Sequence, residues 1–353
     1  MNTASKNSKM SFQTAISCID WIFDNIPEDM CGVEIGFIGG EPLLEFNLIK
    51  RIVEYTCAKD THGIRYIFYA TTNGTLLTPE LRHWFIQHKN CFVLGLSLDG
   101  TPDTHNKNRS NSFGKIDLNF FLETWPEQGV KMTLTEYSIK NLAQNIKYVH
   151  ELGFKEINGV NLFEGTFDWG AEKYIEMLIP QLEELVEYYV QHDDLIVNQM
   201  LNRKIALCEE SNRELKKWCG IGTGSIFFDV DGTRQPCPYC TPMTFEPATL
   251  AEICEYDFQN NNNFVDNDCF ENCYLYPVCP YCPGANYLTQ GTFRKRDKSK
   301  CRIQKLITLY AADLEAKRMI KHPEKYSETA LYHTINAIEK IRSLYLNEFK
   351  TYF

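Results

Sequence analysis

Apolar positions along the first two hundred residues switch repeatedly between two rhythms. Stretches with apolar residues every third or fourth position alternate with short apolar runs closed by turn residues, the patterns of helix and buried strand. Ser11 is placed to cap a helix whose apolar face carries Phe12, Ala15, Ile16, Ile19, Ile22 and Phe23. A strand from Val33 to Ile38 follows and ends at Gly39-Gly40. Pro42 then stands where a helix can begin, and helical spacing continues from Phe46 to Tyr55. Tyr66 to Thr72 reads as a buried strand closed by Asn73-Gly74, and Thr78-Pro79 opens the next helix. Cys91 to Leu98 is a third strand, ending at Asp99-Gly100. Strands over Val130 to Thr135 and Glu156 to Val160 flank a helix from Leu142 to Leu152. Strands alternating with helices imply parallel pairing through right-handed crossovers. An open doubly wound sheet and a barrel both satisfy this pattern.

The character changes after the long helical stretch Ala171 to Val190. From Trp218 turn residues, prolines and cysteines dominate, with a hairpin predicted from Ser225 to Val230 and Thr233 to Pro236 around Asp231-Gly232. The run Asn260 to Asn263 reads as an exposed loop. Beyond Cys301 the chain returns to two helical segments joined near Pro323, and no internal repeat is visible.

Length and charge narrow the function classes. With 353 residues and 44% hydrophobic content the chain can bury a full core, and length alone suggests roughly two domains. The net charge is −10, and the basic stretch Arg294, Lys295, Arg296, Lys298 and Lys300 is short, reading as a solvated face. Nucleic acid is therefore not an expected partner. The start MNTASKNSKM has no apolar signal core and no apolar run reaches membrane-spanning length, so a cytoplasmic location without a membrane partner is expected.

The cysteines carry the strongest chemical signal. Nine of fourteen fall between Cys219 and Cys301. Cys219 is followed by Gly232 and Cys237; then come Cys269, Cys273, Cys279 and Cys282 with gaps of three, five and two residues, and finally Cys301. Cys240 and Cys254 lie between the groups. Each iron of a four-iron cluster takes a thiolate, so eight thiolates suffice for two clusters. A disulfide scaffold fits a small secreted domain better than this chain. Structural zinc, which also uses paired cysteines, stays open on spacing alone.

Three strand ends align with these cysteines in a specific order. Gly39-Gly40-Glu41-Pro42, Thr72-Asn73-Gly74-Thr75 and Ser97-Leu98-Asp99-Gly100 each follow a strand, and the cysteine segment lies downstream. Over about Ser11 to Arg302 the chain resembles the radical S-adenosylmethionine (SAM) superfamily, in the SPASM-domain subgroup of peptide maturases and anaerobic sulfatase maturases. The resemblance implies an α/β fold: a partial (β/α) barrel missing its first strand over 1–195, a SPASM iron–sulfur domain over 196–301, and C-terminal helices over 302–353. It implies that Gly39, Gly40, Glu41 and Pro42 receive the cofactor's ammonium. Ser97 and Asp99 would stand near the ribose, Arg109 would pair with the carboxylate, and Asn73 would line the same cavity. It further implies that Cys219, Cys237, Cys282 and, as best fourth ligand, Cys240 hold one auxiliary 4Fe–4S cluster. Cys269, Cys273, Cys279 and Cys301 would hold the other.

The family pattern is broken in three places. The Cys-x3-Cys-x2-Cys loop of the catalytic cluster should precede the helix at Ser11, and the first cysteine here is Cys18. The sequence is accordingly read as starting inside a longer enzyme, with a third cluster and SAM cleavage expected only in a full-length form. The SPASM gaps run three, five, two in place of two, five, three. Pro238 stands where sulfatase maturases carry a catalytic aspartate, which favours a ribosomal-peptide maturase. The implied activity is radical modification of a peptide or protein substrate, with flavodoxin or ferredoxin as electron donor. The catalytic residue is not assigned. The alternative is a non-catalytic iron–sulfur or zinc protein that presents peptide to a complete enzyme.

Overall fold

The computed structural model describes residues 9–28, 30–162, 168–209 and 217–352. Five strands, β1 (Gly32–Phe37), β2 (Arg65–Thr72), β3 (Phe92–Ser97), β4 (Val130–Leu134) and β5 (Ile157–Leu162), form one parallel sheet in sequence order. A doubly wound sheet would reverse its strand order at a switch point. Strictly sequential order, with helical segments in every crossover, is instead that of a curled half-barrel, as the resemblance implied.

The helices that cover the sheet follow from local signals. α1 (Phe12–Asp24) is capped by Ser11, whose hydroxyl accepts the Thr14 amide at 3.0 Å. α2 (Phe46–Ala58) follows a 3-10 turn opened by Pro42, and Thr78 caps α3 (Pro79–His88). Two short helices in the β3–β4 crossover, α4 (Pro102–Asn108) and α5 (Leu118–Thr124), were not predicted. Seven-residue helices hold too few apolar positions to show a period; their caps, Thr101 and Asp117, were the available signal. α6 (Leu142–Glu151) and α7 (Glu172–Gln191) lie within two residues of their predicted ends. Stacked Phe37, Phe68 and Phe92, with centroids 5.9–6.1 Å apart, tie the first three strands together. The fully buried rings of Phe68 and Phe92 each contribute about 1.5–3 kcal/mol.

Downstream, β6 (Phe227–Phe228) and β7 (Arg234–Gln235) make a hairpin shorter than predicted, because pairing beyond Gln235 gives way to a loop contact from the Gly222 amide to Pro236 O. The hairpin leans on α1: Phe228 meets Trp21 edge-on and Arg234 lies over the same indole. α8 (Pro247–Cys254), α9 (Asn267–Asn272) and α10 (Pro283–Gln290) are brief. The predicted loop at Asn260–Asn263 tightens into a 3-10 turn, Asn261–Phe264, anchored by buried Phe264. α11 (Cys301–Lys321) packs between α7 and α12 (Glu328–Tyr345), so both C-terminal helices share the half-barrel's core. No helix among the described residues is long and apolar enough to cross a membrane.

Candidate functional site

The carboxyl edge of the half-barrel gathers the strand-end motifs into a hydrogen-bonded rim. Gly39 and Gly40 follow β1, and an added Cβ on either would meet nothing within 4 Å, so the backbone there is open to a ligand. Glu41 turns inward. Its carboxylate accepts from the Leu43 amide at 3.1 Å, the Thr72 hydroxyl at 2.8 Å and the Asn73 amide at 2.8 Å. It thereby locks the β1 and β2 ends together, with Pro42 opening the turn behind it. Asn73 spends its side-chain oxygen on the Thr75 amide and hydroxyl.

At the end of β3, Asp99 is only 2% exposed. Arg109 donates to it twice, Nε to Oδ2 at 2.7 Å and Nη2 to Oδ1 at 3.1 Å. The Asn108 amide and the Thr133 backbone N–H complete its shell. A bidentate pair of this kind fixes the guanidinium plane and leaves other N–H donors unspent. Gly100 is conformationally required: its φ is +111°, and a Cβ would sit 2.3 Å from the Asn145 side chain. His105 supports the turn by accepting the Asp99 amide on Nδ1, and burial lowers its pKa to about 4, with Arg109 acting in the same direction and Asp99 opposing. Ser97 stands half-buried at the strand end. Beside Arg109 opens a shallow cleft of about 500 Å³ lined by Lys107, Asn108, Thr135, Glu136 and Tyr137. Sequence reasoning named none of these five. Thr135 and its neighbours follow β4, and strand-end position was the signal that could have found them.

The cysteines sort into two electrostatic neighbourhoods. Burial raises the thiol pKa values of Cys269, Cys279 and Cys301, the last to about 11, and these three with Cys273 act on one another. Separately, Cys237 and Cys240 have sulfurs 3.6 Å apart and share a proton. That hydrogen bond lowers Cys237 to about 7 and raises Cys240, which also feels Cys282 and Cys254. Cys219, raised by burial, faces Cys237. Cys282 therefore leaves its sequence neighbours and joins the earlier group, and exposed Cys254 borders it as well.

These residues fit iron–sulfur clusters. The donor set is soft thiolate, the ligand such clusters take, and no group of three ligand-type side chains poised for one ion occurs among the described residues. Four of the five buried side-chain polar atoms without a hydrogen-bond partner among the described residues lie in this segment: Gln235 Oε1, Tyr276 Oη, Asn286 Nδ2 and Arg296 Nε. Three of them are N–H or O–H donors, which suits sulfur acceptors.

One expectation is corrected here. The basic run is solvated at Arg294, Lys295 and Lys298 but not at Arg296, which is 7% exposed, and exposed Lys298 still brings its Nζ to 2.9 Å from Cys269 Sγ. Alternating exposed and buried positions in an irregular loop have no period to reveal this.

No family model matches the chain. It is 23% identical over 328 residues to a cysteine-type anaerobic sulfatase-maturating enzyme of Clostridium perfringens, covering 87% of this chain and 83% of that one. It is also 23% identical over 319 residues to the radical SAM cyclopropyl synthase TigE of Paramaledivibacter caminithermalis, covering 86% and 65%. Among solved structures, anSMEcpe with bound AdoMet superposes with a TM-score of 0.68 at 16% identity, over 96% of this chain and 92% of that one. The same protein with AdoMet and the Cp18Cys peptide gives 0.60 at 16%, over 94% and 92%. In sequence the chain is similar to an anaerobic sulfatase-maturating enzyme and a radical SAM cyclopropyl synthase, and in fold to anSMEcpe, in line with the radical SAM resemblance read from its motifs.

Proposed function

We propose that the chain is a peptide- or protein-modifying radical SAM enzyme whose half-barrel receives S-adenosylmethionine at its strand ends and whose cysteine-rich segment carries two four-iron clusters. The observation that supports this reading is that the thiols gather in two places, Cys240 facing Cys237 and Cys282 (with Cys254 at the border) and Cys279 and Cys301 facing Cys269 and Cys273. In this reading Cys219, Cys237, Cys240 and Cys282 hold one cluster, and Cys269, Cys273, Cys279 and Cys301 the other. Bound clusters supply one-electron chemistry.

The chain's own residues position the cofactor. Asp99 holds the Arg109 guanidinium so that its unspent donors can take a carboxylate. Open backbone at Gly39 and Gly40 offers carbonyls to an ammonium, while Glu41 and Asn73 brace the loops and Ser97 stands toward the ribose. The cleft by Tyr137 suits an extended peptide beside the reacting centre. Pro238 after Cys237 supports a peptide other than a sulfatase. The test is equilibrium dialysis of the iron-loaded chain with S-adenosylmethionine. Saturable one-site binding is expected, weakened at least about tenfold by Arg109→Ala, the loss of one charge-assisted contact. No binding to the iron-loaded wild type would overturn the proposal.

A further inference from the structure

Arg296 is a buried cation without a matching anion. Its guanidinium is sandwiched by aromatic rings, 4.1 Å from the Tyr281 centroid and 4.4 Å from that of Tyr276. Nη1 reaches the Cys279 carbonyl at 3.5 Å, and Nε has no hydrogen-bond partner. The nearby carboxylates are engaged elsewhere. Asp266 accepts the backbone N–H groups of Arg296 and Cys269, and together with Asp268 it faces the Lys298 ammonium. Arg203 approaches the same place from the other side, donating to Val278 O at 3.1 Å and to Met200 O at 3.2 Å. Two guanidinium groups thus flank Cys279 with no carboxylate paired to either among the described residues. A buried charge left uncompensated costs several kcal/mol, so the fold calls for an anion here. Thiols are neutral; thiolates on a metal cluster are not.

We propose that Arg296 is the counter-ion of the cluster held by Cys269, Cys273, Cys279 and Cys301, and that it raises that cluster's reduction potential relative to the other cluster. The assignment rests on the two-cluster reading above. Reduction adds negative charge to the cluster, and a fixed cation in a dry, aromatic site stabilises the reduced form more than the oxidised one. Cation–ring contacts hold the guanidinium in place without neutralising it.

The test is a potentiometric titration of the reconstituted chain, followed by electron paramagnetic resonance, on wild type, Arg296→Met and Arg296→Lys. Methionine fills the slot between two rings without charge. In Arg296→Met one of the two cluster signals should move to a more negative potential while the other stays, and Arg296→Lys should remain near wild type. Two unmoved signals, or two that move equally, would overturn the role of Arg296. Iron content gives an independent readout: Arg296→Met, which fills the same slot, should hold as much iron per chain as wild type. Loss of about four irons would make Arg296 a packing element and contradict the proposal. Should wild type take up no iron, the two-cluster reading itself falls; that result is distinct from loaded protein with unmoved potentials.

Discussion

The half-barrel and the cysteine-rich segment hold together by different means. Around the sheet, apolar side chains from five strands and the surrounding helices join one continuous core that also takes in α7, α11 and α12. Its buried charges are matched, as at Asp99 and Arg109, and no buried polar side-chain atom without a partner occurs there between Gly32 and Val160 among the described residues. The cysteine-rich segment has a far smaller core of Ile221, Cys240, Phe245, Leu250, Ile253, Phe264 and Phe293. Its strands are two residues long, and buried donors lack acceptors. The difference teaches where each region's folding free energy comes from. Burial suffices for the first; on the proposed two-cluster reading the second gains what its small core lacks from cross-links at its thiols.

Metal removal should break this comparison most visibly. Chelation under reducing conditions is expected to strip hydrogen-exchange protection from residues 219–301 while β2 and β3 stay protected. Equal loss in both regions would show that the cores are not independent. Within the segment, Cys279→Ala should remove about four of eight irons and leave the rest, measured by metal analysis of purified protein.

The converse change strikes the half-barrel. Phe92→Ala empties a fully buried position in the aromatic stack and should cost about 3–5 kcal/mol in urea unfolding. The iron content of the folded fraction should be unchanged.

A pH dependence of intermediate size is expected in the half-barrel. His105 has a folded pKa of about 4, below its ordinary value near 6.5, because burial disfavours the charged ring. Between these values the unfolded chain binds more protons, so stability is full above pH 6.5 and falls as pH drops toward 4. The effect is on the order of 2–3 kcal/mol. His105→Gln should flatten the slope of urea midpoints against pH in that window; an unchanged slope would move the titrating group elsewhere. The smallest effect is expected at the surface. Lys155→Ala breaks an exposed pair with Glu127 and should cost about 0–1 kcal/mol, a shift of thermal midpoint at the edge of detection.

How far the sequence could be read differs between the same two regions. In the half-barrel, strands and helices announce themselves by period, and Asp99 and Glu41 stood just past strand ends where ligands are received, with Arg109 at the end of α4. Their partners were not legible. Glu41 reads as a ligand contact until the fold brings Thr72 and Asn73 to its carboxylate, thirty residues away in sequence. In the cysteine-rich segment the thiols were legible by spacing, but Arg203 and Arg296 were not. They approach Cys279 from a connecting segment and from a loop, and only tertiary packing removes them from water.

The central claim is that eight thiols in this segment hold two four-iron clusters, and the direct measurement is iron and acid-labile sulfide per chain after anaerobic reconstitution. About eight of each are expected, with broad visible absorption that bleaches on reduction. A colourless protein holding stoichiometric zinc, or one binding about four irons or fewer at saturation, would contradict it.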